Sequence, residues 1–390
     1  MPDWDDFLRN ASRRHAGERR ASTGNRLLHL IDDDRITSTV WEALEGAEQH
    51  AWVSMYLLKP DTIGHGTLAR LADAARRGVD VRLICDGFTS WNLSERDLTP
   101  LRHAGGQMVF FNPVWPFQQE AFAWDLRKFG TRNHRKLFII DGETALCGGF
   151  NLSLFYAGRS HGSWVFDDTL LRVRGPAVHD LARVFARTWE ELNGEAPPLP
   201  ARPAPHPTGG APAAALETDP RRTTPLGPFL VEAIERAQEQ CLFVTPFFVP
   251  TAPFYRALLK AARRGVDVRI LTAGDTDRVV ARWGGWHVYD PLLEAGARIY
   301  EMEGRILHSK TIALDGAFGS IGSYNMDVWT TRHCLDLNVV FSDERTARSL
   351  KHEFRIGLRD AYEVTLDDVR ARSPLHKALH ALTYHACCWL

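Results

Sequence analysis

The sequence predicts an α/β protein made of two repeat-related halves that share one active site. Three observations lead there. The stretch AARRGVDVRL at 74–83 recurs as AARRGVDVRI at 261–270, differing only in its last residue. A His-x-Lys-x4-Asp pattern occurs in each half, in the same order relative to that repeat. A stretch rich in Pro, Gly and Ala, residues 195–215, lies between the two copies.

At 390 residues the chain has room for two or three domains. Its 44% hydrophobic and 24% charged residues exclude collagen-like, disordered and disulfide-scaffold classes. Lys+Arg 47 against Asp+Glu 48 leaves a net charge of −1, so attraction to an anionic partner must be local, and no nucleic-acid partner is expected. The six cysteines form no C-x-x-C pair, which argues against a zinc site or a disulfide framework and fits a reducing compartment. There is no run of 18 apolar residues and no basic-then-apolar leader at Met1-Pro2-Asp3-Trp4, so the expected location is cytoplasmic, peripheral to a membrane surface. Cys387 stands where a prenylation motif would begin, but Trp389 fits that motif poorly.

In chain order, residues 1–25 read as a charged segment with Arg13, Arg14, Arg19 and Arg20. Residues 26–194 form the first half. Leu68, Leu71, Ala72 and Ala75 make a helical stripe, Gly78 suits the position just past a helix, and Val79, Val81 and Leu83 alternate as a strand. Residues 195–224 read as a linker. The second half, 225–362, repeats the pattern with Tyr255, Leu258, Leu259 and Ala262, then Gly265, then Val266, Val268 and Ile270. A helix feeding a strand in each half marks α/β layers. In the tail, 363–390, Leu375, Ala378, Leu379 and Leu382 fall at helical spacing; this helix would lie in a membrane interface or pack on the second half.

The paired motifs carry the chemistry. The first is His134, Lys136 and Asp141 in HRKLFIIDG; the second is His308, Lys310 and Asp315 in HSKTIALDG. The match extends to Gly142 and Gly316, Gly148 and Gly322, and Asn151 and Asn325. His and Lys two apart in a β-like run share one face of a sheet, while Leu137 and Ile139 face a core. Asp141-Gly142 and Asp315-Gly316 are hairpin-turn signals, so the chain returns and brings Asn151 or Asn325 back beside the His and Lys. Two facing halves would pool two imidazoles, two ammonium groups and two carboxamides. One imidazole can attack phosphorus while the other handles the leaving-group proton, and Lys and Asn supply donors to the phosphoryl oxygens. With two ammonium groups present, no metal or cofactor is required, and no metal-ligand spacing appears. Asp168 and Asp336 stand either as acceptors for the Nδ1–H of the His in their own half or as strand-edge carboxylates. The loop FFNPVWPF at 110–117, with Trp115 and Phe117, either packs over the core or presents apolar groups to a lipid substrate and membrane surface.

On these residues the chain resembles the phospholipase D superfamily, and within it bacterial cardiolipin synthases without membrane spans. The likeness covers about residues 26–360. It includes RNHRK at 132–136, GGFN at 148–151, TPFFVP at 245–250 and GSYNMD at 322–327. The resemblance implies two α/β/α-sandwich halves around one site, a phosphatidyl-histidine intermediate, His134 as nucleophile, His308 as general acid, and Asp168 and Asp336 as acidic partners of the histidines. The family's lipid synthases usually have Glu where this chain has Asp336, and Arg-Ser where it has Trp329-Thr330. The activity implied is transfer of a phosphatidyl group from phosphatidylglycerol to a lipid alcohol. The competing readings are hydrolysis of phospholipids, phosphodiesterase action on nucleic acid, and a non-catalytic scaffold, the last disfavoured because both motifs are complete.

Overall fold

Both repeats become the helix and strand they encode, in a computed structural model that describes residues 1–16, 21–31, 33–114, 130–161, 166–276 and 278–387. Helices Thr62–Arg76 and Ala252–Arg263 bury Leu68, Leu71 and Ala72, and Ala257, Leu258 and Ala261. Each stops at a glycine with left-handed backbone, Gly78 at φ +91° and Gly265 at φ +88°, where a side chain would be strained. Strands Asp80–Asp86 and Asp267–Ala273 follow.

The two sheets have mirrored strand orders. In the first half, Gln107–Phe111, Asp80–Asp86 and His50–Met55 run parallel; Leu137–Ile140, Thr144–Gly148, Leu170–Arg174 and Ala21–Leu30 follow antiparallel. In the second, Arg298–Met302, Asp267–Ala273 and Gln240–Val244 run parallel, followed by Thr311–Leu314, Phe318–Gly322, Cys334–Ser342 and Ala211–Thr218. Strand Ala361–Val364 adds an outer edge to this half alone. The halves join where Ala21 and Ser22 pair antiparallel with Ala214 and Ala213.

That junction lies inside the segment whose composition reads as a linker, 195–224. Ala211–Thr218 is instead a buried strand at the centre of the joined sheet. Ala214 and Leu216 face one apolar core, Ala213 and Ala215 the other. Covered on both faces, the strand is built mainly of small side chains, with Leu216 its one large apolar residue, which is why it does not announce itself as a strand.

The charged N-terminal segment likewise contains a packed helix, Trp4–Ala16. Trp4, Phe7, Leu8 and Ala11 enter the outer core of the second half, where Phe7 meets Phe229 at 5.3 Å and Trp4 meets Phe318 at 4.9 Å between ring centres. Arg14 pairs with Glu232 on its outer side, while Arg19 and Arg20 lie outside the described residues. The tail helix Pro374–Cys387 packs on helix Val279–Trp286, with Tyr384 donating to the Pro250 carbonyl at 2.9 Å. It buries His380 and Thr383 and turns Leu375 and Leu382 outward, so the stripe read as an apolar face is not the face that packs. Among the described residues no helix is long and apolar enough to cross a membrane.

Candidate active site at the junction of the halves

Each motif is led into place by a short ribbon formed with the other half. Arg132–Asn133 pairs in parallel with Cys334–Leu335, and Ile306–Leu307 pairs in parallel with Phe166–Asp167. The His134 N–H donates to the Leu335 carbonyl at 3.0 Å and the His308 N–H to the Asp167 carbonyl at 2.8 Å. The residue after each of those carbonyls is an aspartate. His134 Nδ1 lies 2.8 Å from Asp336 Oδ1, and His308 Nδ1 lies 2.6 Å from Asp168 Oδ2.

This corrects the pairing within a half. Each histidine takes its carboxylate from the opposite half, because His134 and His308 precede the strands of their own sheets, which begin at Leu137 and Thr311, and are held by the cross-half ribbons. Both carboxylates are fully buried. Asp336 Oδ1 also accepts from Ser323 Oγ at 2.6 Å, whereas Asp168 Oδ1 accepts from the Thr169 N–H at 2.8 Å. Gly149, at the position matching Ser323, makes room for this: a Cβ there would come within 2.1 Å of Asp168 Oδ1.

The lysines are buried beside the rings. Lys136 Nζ donates to the His134 carbonyl at 2.8 Å and lies 4.6 Å from the Tyr56 ring centre. Lys310 Nζ donates to the His308 carbonyl and stands 3.0 Å from His308 Nδ1. Asn151 and Asn325 are buried just past strands that pair with the motif strands, Leu137 opposite Cys147 and Thr311 opposite Ile321. Both carboxamide oxygens lack a hydrogen-bond partner among the described residues, and Asn325 Nδ2 donates to Thr330 Oγ1 at 3.2 Å.

Asp141 and Asp315 are not in this group. They sit at the far end of the motif strands, on the order of 20 Å along an extended chain from their histidines. Each takes a left-handed backbone, φ +53° and +49°, and its carboxylate collects N–H groups: Glu48, Gln49 and His50 for Asp141, Gln238, Glu239 and Gln240 for Asp315. They brace the loops that enter strands His50–Met55 and Gln240–Val244. A fixed spacing from the histidine therefore reports strand length and a turn, not a reacting group. Trp115 and Phe117 lie outside the described residues.

The motif does not point to the aromatic neighbours. Tyr56 meets the His134 ring edge-on at 4.6 Å; Tyr156 and Phe166 meet His308 at 5.1 and 5.6 Å. Tyr56 and Tyr156 follow strands at the same sheet edge and Phe166 opens the ribbon strand there, and nothing in their local sequence sets them apart from core residues.

Burial dominates the electrostatics. It pulls the His134 imidazole down to about 4, with Lys136 pushing the same way and Asp336 opposing. It pulls His308 well below the ordinary histidine range, with both lysines adding to the effect. Burial also brings Lys136 down to about 7 and Lys310 to about 8. The carboxylates part company. Burial raises Asp168 to about 7 against the pull of Lys310. Burial acts upward on Asp336 too, but His134 and the Ser323 hydroxyl hold it below its ordinary value. Among the described residues no group of three or more His, Cys, Asp and Glu side chains is placed to hold a metal ion.

The chain is similar to known proteins over most of its length. Residues 40–189 and 230–356 match the family described as "Cardiolipin synthase, PLD-like domain". A cardiolipin synthase of Geobacillus kaustophilus is 30% identical over 365 residues, covering 91% of this chain and 70% of that one. A probable cardiolipin synthase of Bacillus subtilis, YwiE, is 28% identical over 352 residues, covering 88% and 68%. The fold matches the crystal structure of phosphatidylserine synthase from Haemophilus influenzae at a TM-score of 0.70 and 12% identity, covering 98% of this chain and all of that one.

Proposed function

Because the chain belongs to the cardiolipin synthase family of phospholipase D-like proteins, we propose that it is a phosphatidyltransferase that moves a phosphatidyl group from phosphatidylglycerol to the hydroxyl of a second lipid. The observation that carries this is the pair of cross-braced histidines, each with a buried Lys and Asn, brought to one junction.

Proton placement assigns the roles. Asp336 is ionised, so His134 carries its proton on Nδ1 and presents the Nε2 lone pair. Below about pH 7 Asp168 holds a proton; its O–H then donates to His308 Nδ1, which leaves the His308 proton on Nε2. Lys310 at 3.0 Å from the same Nδ1 favours that nitrogen as an acceptor. One ring is thus set as nucleophile and the other as acid, although both are neutral.

In the first step His134 Nε2 attacks phosphorus. The bond from phosphorus to the headgroup glycerol oxygen breaks, and that oxygen takes the Nε2 proton of His308 while the Asp168 proton passes to His308 Nδ1, leaving a neutral ring and an ionised carboxylate. Lys136, Lys310, Asn151 and Asn325 donate to the non-bridging oxygens as their charge grows. In the second step His308 Nε2 removes the proton of the incoming hydroxyl as its Nδ1 proton returns to Asp168, and the hydroxyl oxygen attacks phosphorus and breaks the P–N bond. The substrate is a phospholipid and the enzyme works peripherally, on the inner face of the cell membrane; no nucleic acid takes part. Purified protein given labelled phosphatidylglycerol should yield cardiolipin and free glycerol. Phosphatidic acid as the sole product would make water the acceptor; cleavage of single-stranded DNA without lipid turnover would overturn the lipid reading.

A further inference from the structure

Among the described residues, half of the large apolar side chains that remain exposed belong to one edge of the molecule. Phe88 and Trp91 follow strand Asp80–Asp86, Phe155 follows Thr144–Gly148, Val279 and Val280 follow Asp267–Ala273, and Trp329 follows Phe318–Gly322. All these strands end at the sheet edge where the motif strands begin, since Ser54 pairs with Leu137 and Val244 with Thr311. The histidines stand at that edge. Exposed apolar groups elsewhere, such as Met1, Leu28, Leu199 and Tyr362, are scattered.

Two of these residues are repeat-related. Phe155 and Trp329 occupy matching positions past Asn151 and Asn325, and are 46% and 39% exposed. Phe88 and Trp91, at 53% and 55%, stand on the first half only. The Lys59 ammonium lies 4.6 Å from the Phe155 ring centre, so a cation accompanies the apolar group at the surface. Repeat-related aromatics that leave the core in both halves, beside a shared site, suit a flat apolar partner spanning that site. An aromatic ring with a nearby lysine fits the boundary between acyl chains and anionic headgroups.

We propose that this edge is the docking face for an anionic lipid bilayer, with Phe155 and Trp329 as anchors on either side of the reacting groups. The proposal rests on the phosphatidyltransferase reading and adds to it the surface through which the lipid is reached. Docking there places the histidines at headgroup level, so a phosphodiester need rise only a short way to meet His134.

The test is co-sedimentation with vesicles of mixed phosphatidylglycerol and phosphatidylcholine, together with turnover on those vesicles and on detergent-dispersed phosphatidylglycerol. The variant is Phe155→Ser with Trp329→Ser, its fold checked by thermal melting. Vesicle binding and vesicle turnover should each fall at least tenfold, while turnover on dispersed lipid stays within about twofold. Raising the salt should weaken wild-type binding. Unchanged vesicle binding in the folded variant would overturn the docking face, as would a change only in oligomeric state, which would make the face a contact between copies. A wild-type protein that binds vesicles through these residues but turns over lipid neither on vesicles nor in detergent would instead overturn the transferase reading and leave the docking face standing.

Discussion

The two halves present the same residues at their shared junction but not the same chemistry. Around His134, the carboxylate of Asp336 receives a Ser323 hydroxyl and stays ionised; around His308, the carboxylate of Asp168 meets the bare backbone of Gly149 and holds a proton to about 7. Each lysine donates to the carbonyl of its own His, but Lys310 also approaches the imidazole Nδ1, while Lys136 lies over Tyr56. A duplicated fold gives two equal positions, and single-residue differences behind the rings give the two couples different surroundings. The buried groups titrate as pairs, so the difference belongs to each His–Asp couple and not to a ring alone.

The largest expected effect comes from removing either ring. His134→Ala and His308→Ala should each lower turnover by at least about a thousandfold, because nucleophilic and acid–base roles are not interchangeable once the carboxylates differ. They should separate on a phosphatidyl ester whose leaving group needs no proton. There His308→Ala should still form a phosphoenzyme, trapped and mapped to His134, and His134→Ala should form none. A label on His308 would reverse the comparison.

Next in size are the carboxylates. Asp336→Asn and Asp168→Asn should each cost about a hundredfold to ten-thousandfold, the first by allowing the wrong tautomer of His134 and the second because an amide can hold His308 Nδ1 as an acceptor but has no proton to pass to it. With the activated ester, Asp336→Asn should behave like His134→Ala and Asp168→Asn like His308→Ala. Pairing within a half would give the opposite pattern, so this experiment checks the cross-half bracing directly in solution.

The sequence makes some of this legible and hides the rest for physical reasons. The helix–strand repeats, the paired His and Lys and the trailing Asn are legible because duplication preserves their order. The central strand Ala211–Thr218 is hidden because alanines covered on both faces look like linker. The cross-half carboxylates are hidden because sequence spacing measures distance along a strand, whereas His134 meets Asp336 through a ribbon that only the assembled halves create. Asp141 and Asp315 were the reverse case: regular in spacing, they cap N–H groups far from the rings.

A smaller effect is expected from pH. Above about 7 the Asp168 carboxyl loses the proton that sets His308 as an acid, and Lys136, also near 7, loses its charge. Activity should therefore fall as pH rises through 7. As pH falls toward 4, His134 takes up a proton and loses its lone pair, so activity should fall again. The measurement is kcat against pH in wild type and in Asp168→Asn. In the variant the alkaline loss should become shallower, one proton in place of two, and stay near 7 or below, because Lys136 remains but the carboxyl does not. An alkaline limb unchanged by Asp168→Asn would assign it to Lys136 alone.

The smallest expected effect tests the residue that makes the halves differ. Ser323 Oγ donates to Asp336 Oδ1 at 2.6 Å and accepts from the Leu337 N–H at 3.1 Å. Ser323→Ala removes the donor that helps keep Asp336 ionised and makes its surroundings more like those of Asp168. A hydrogen bond to a charged group is worth roughly 1.5–3 kcal/mol, but only part of it bears on the tautomer of His134, so the loss should be near tenfold in rate. It should appear in phosphoenzyme formation, not in its discharge, since His308 and Asp168 are untouched. The Leu337 N–H also loses its acceptor, so the melting temperature should drop by about a few degrees; that drop alone would slow neither step in protein that remains folded. The distinguishing measurement is the acid limb of the first step. With Asp336 ionised less readily, His134 loses part of the carboxylate's support for its protonated form, and the limb should move to lower pH. A Ser323→Ala protein with lower melting temperature but an unmoved acid limb and unchanged phosphoenzyme formation would show that Ser323 serves the fold alone, and the contrast between the two couples would have to rest on Lys310.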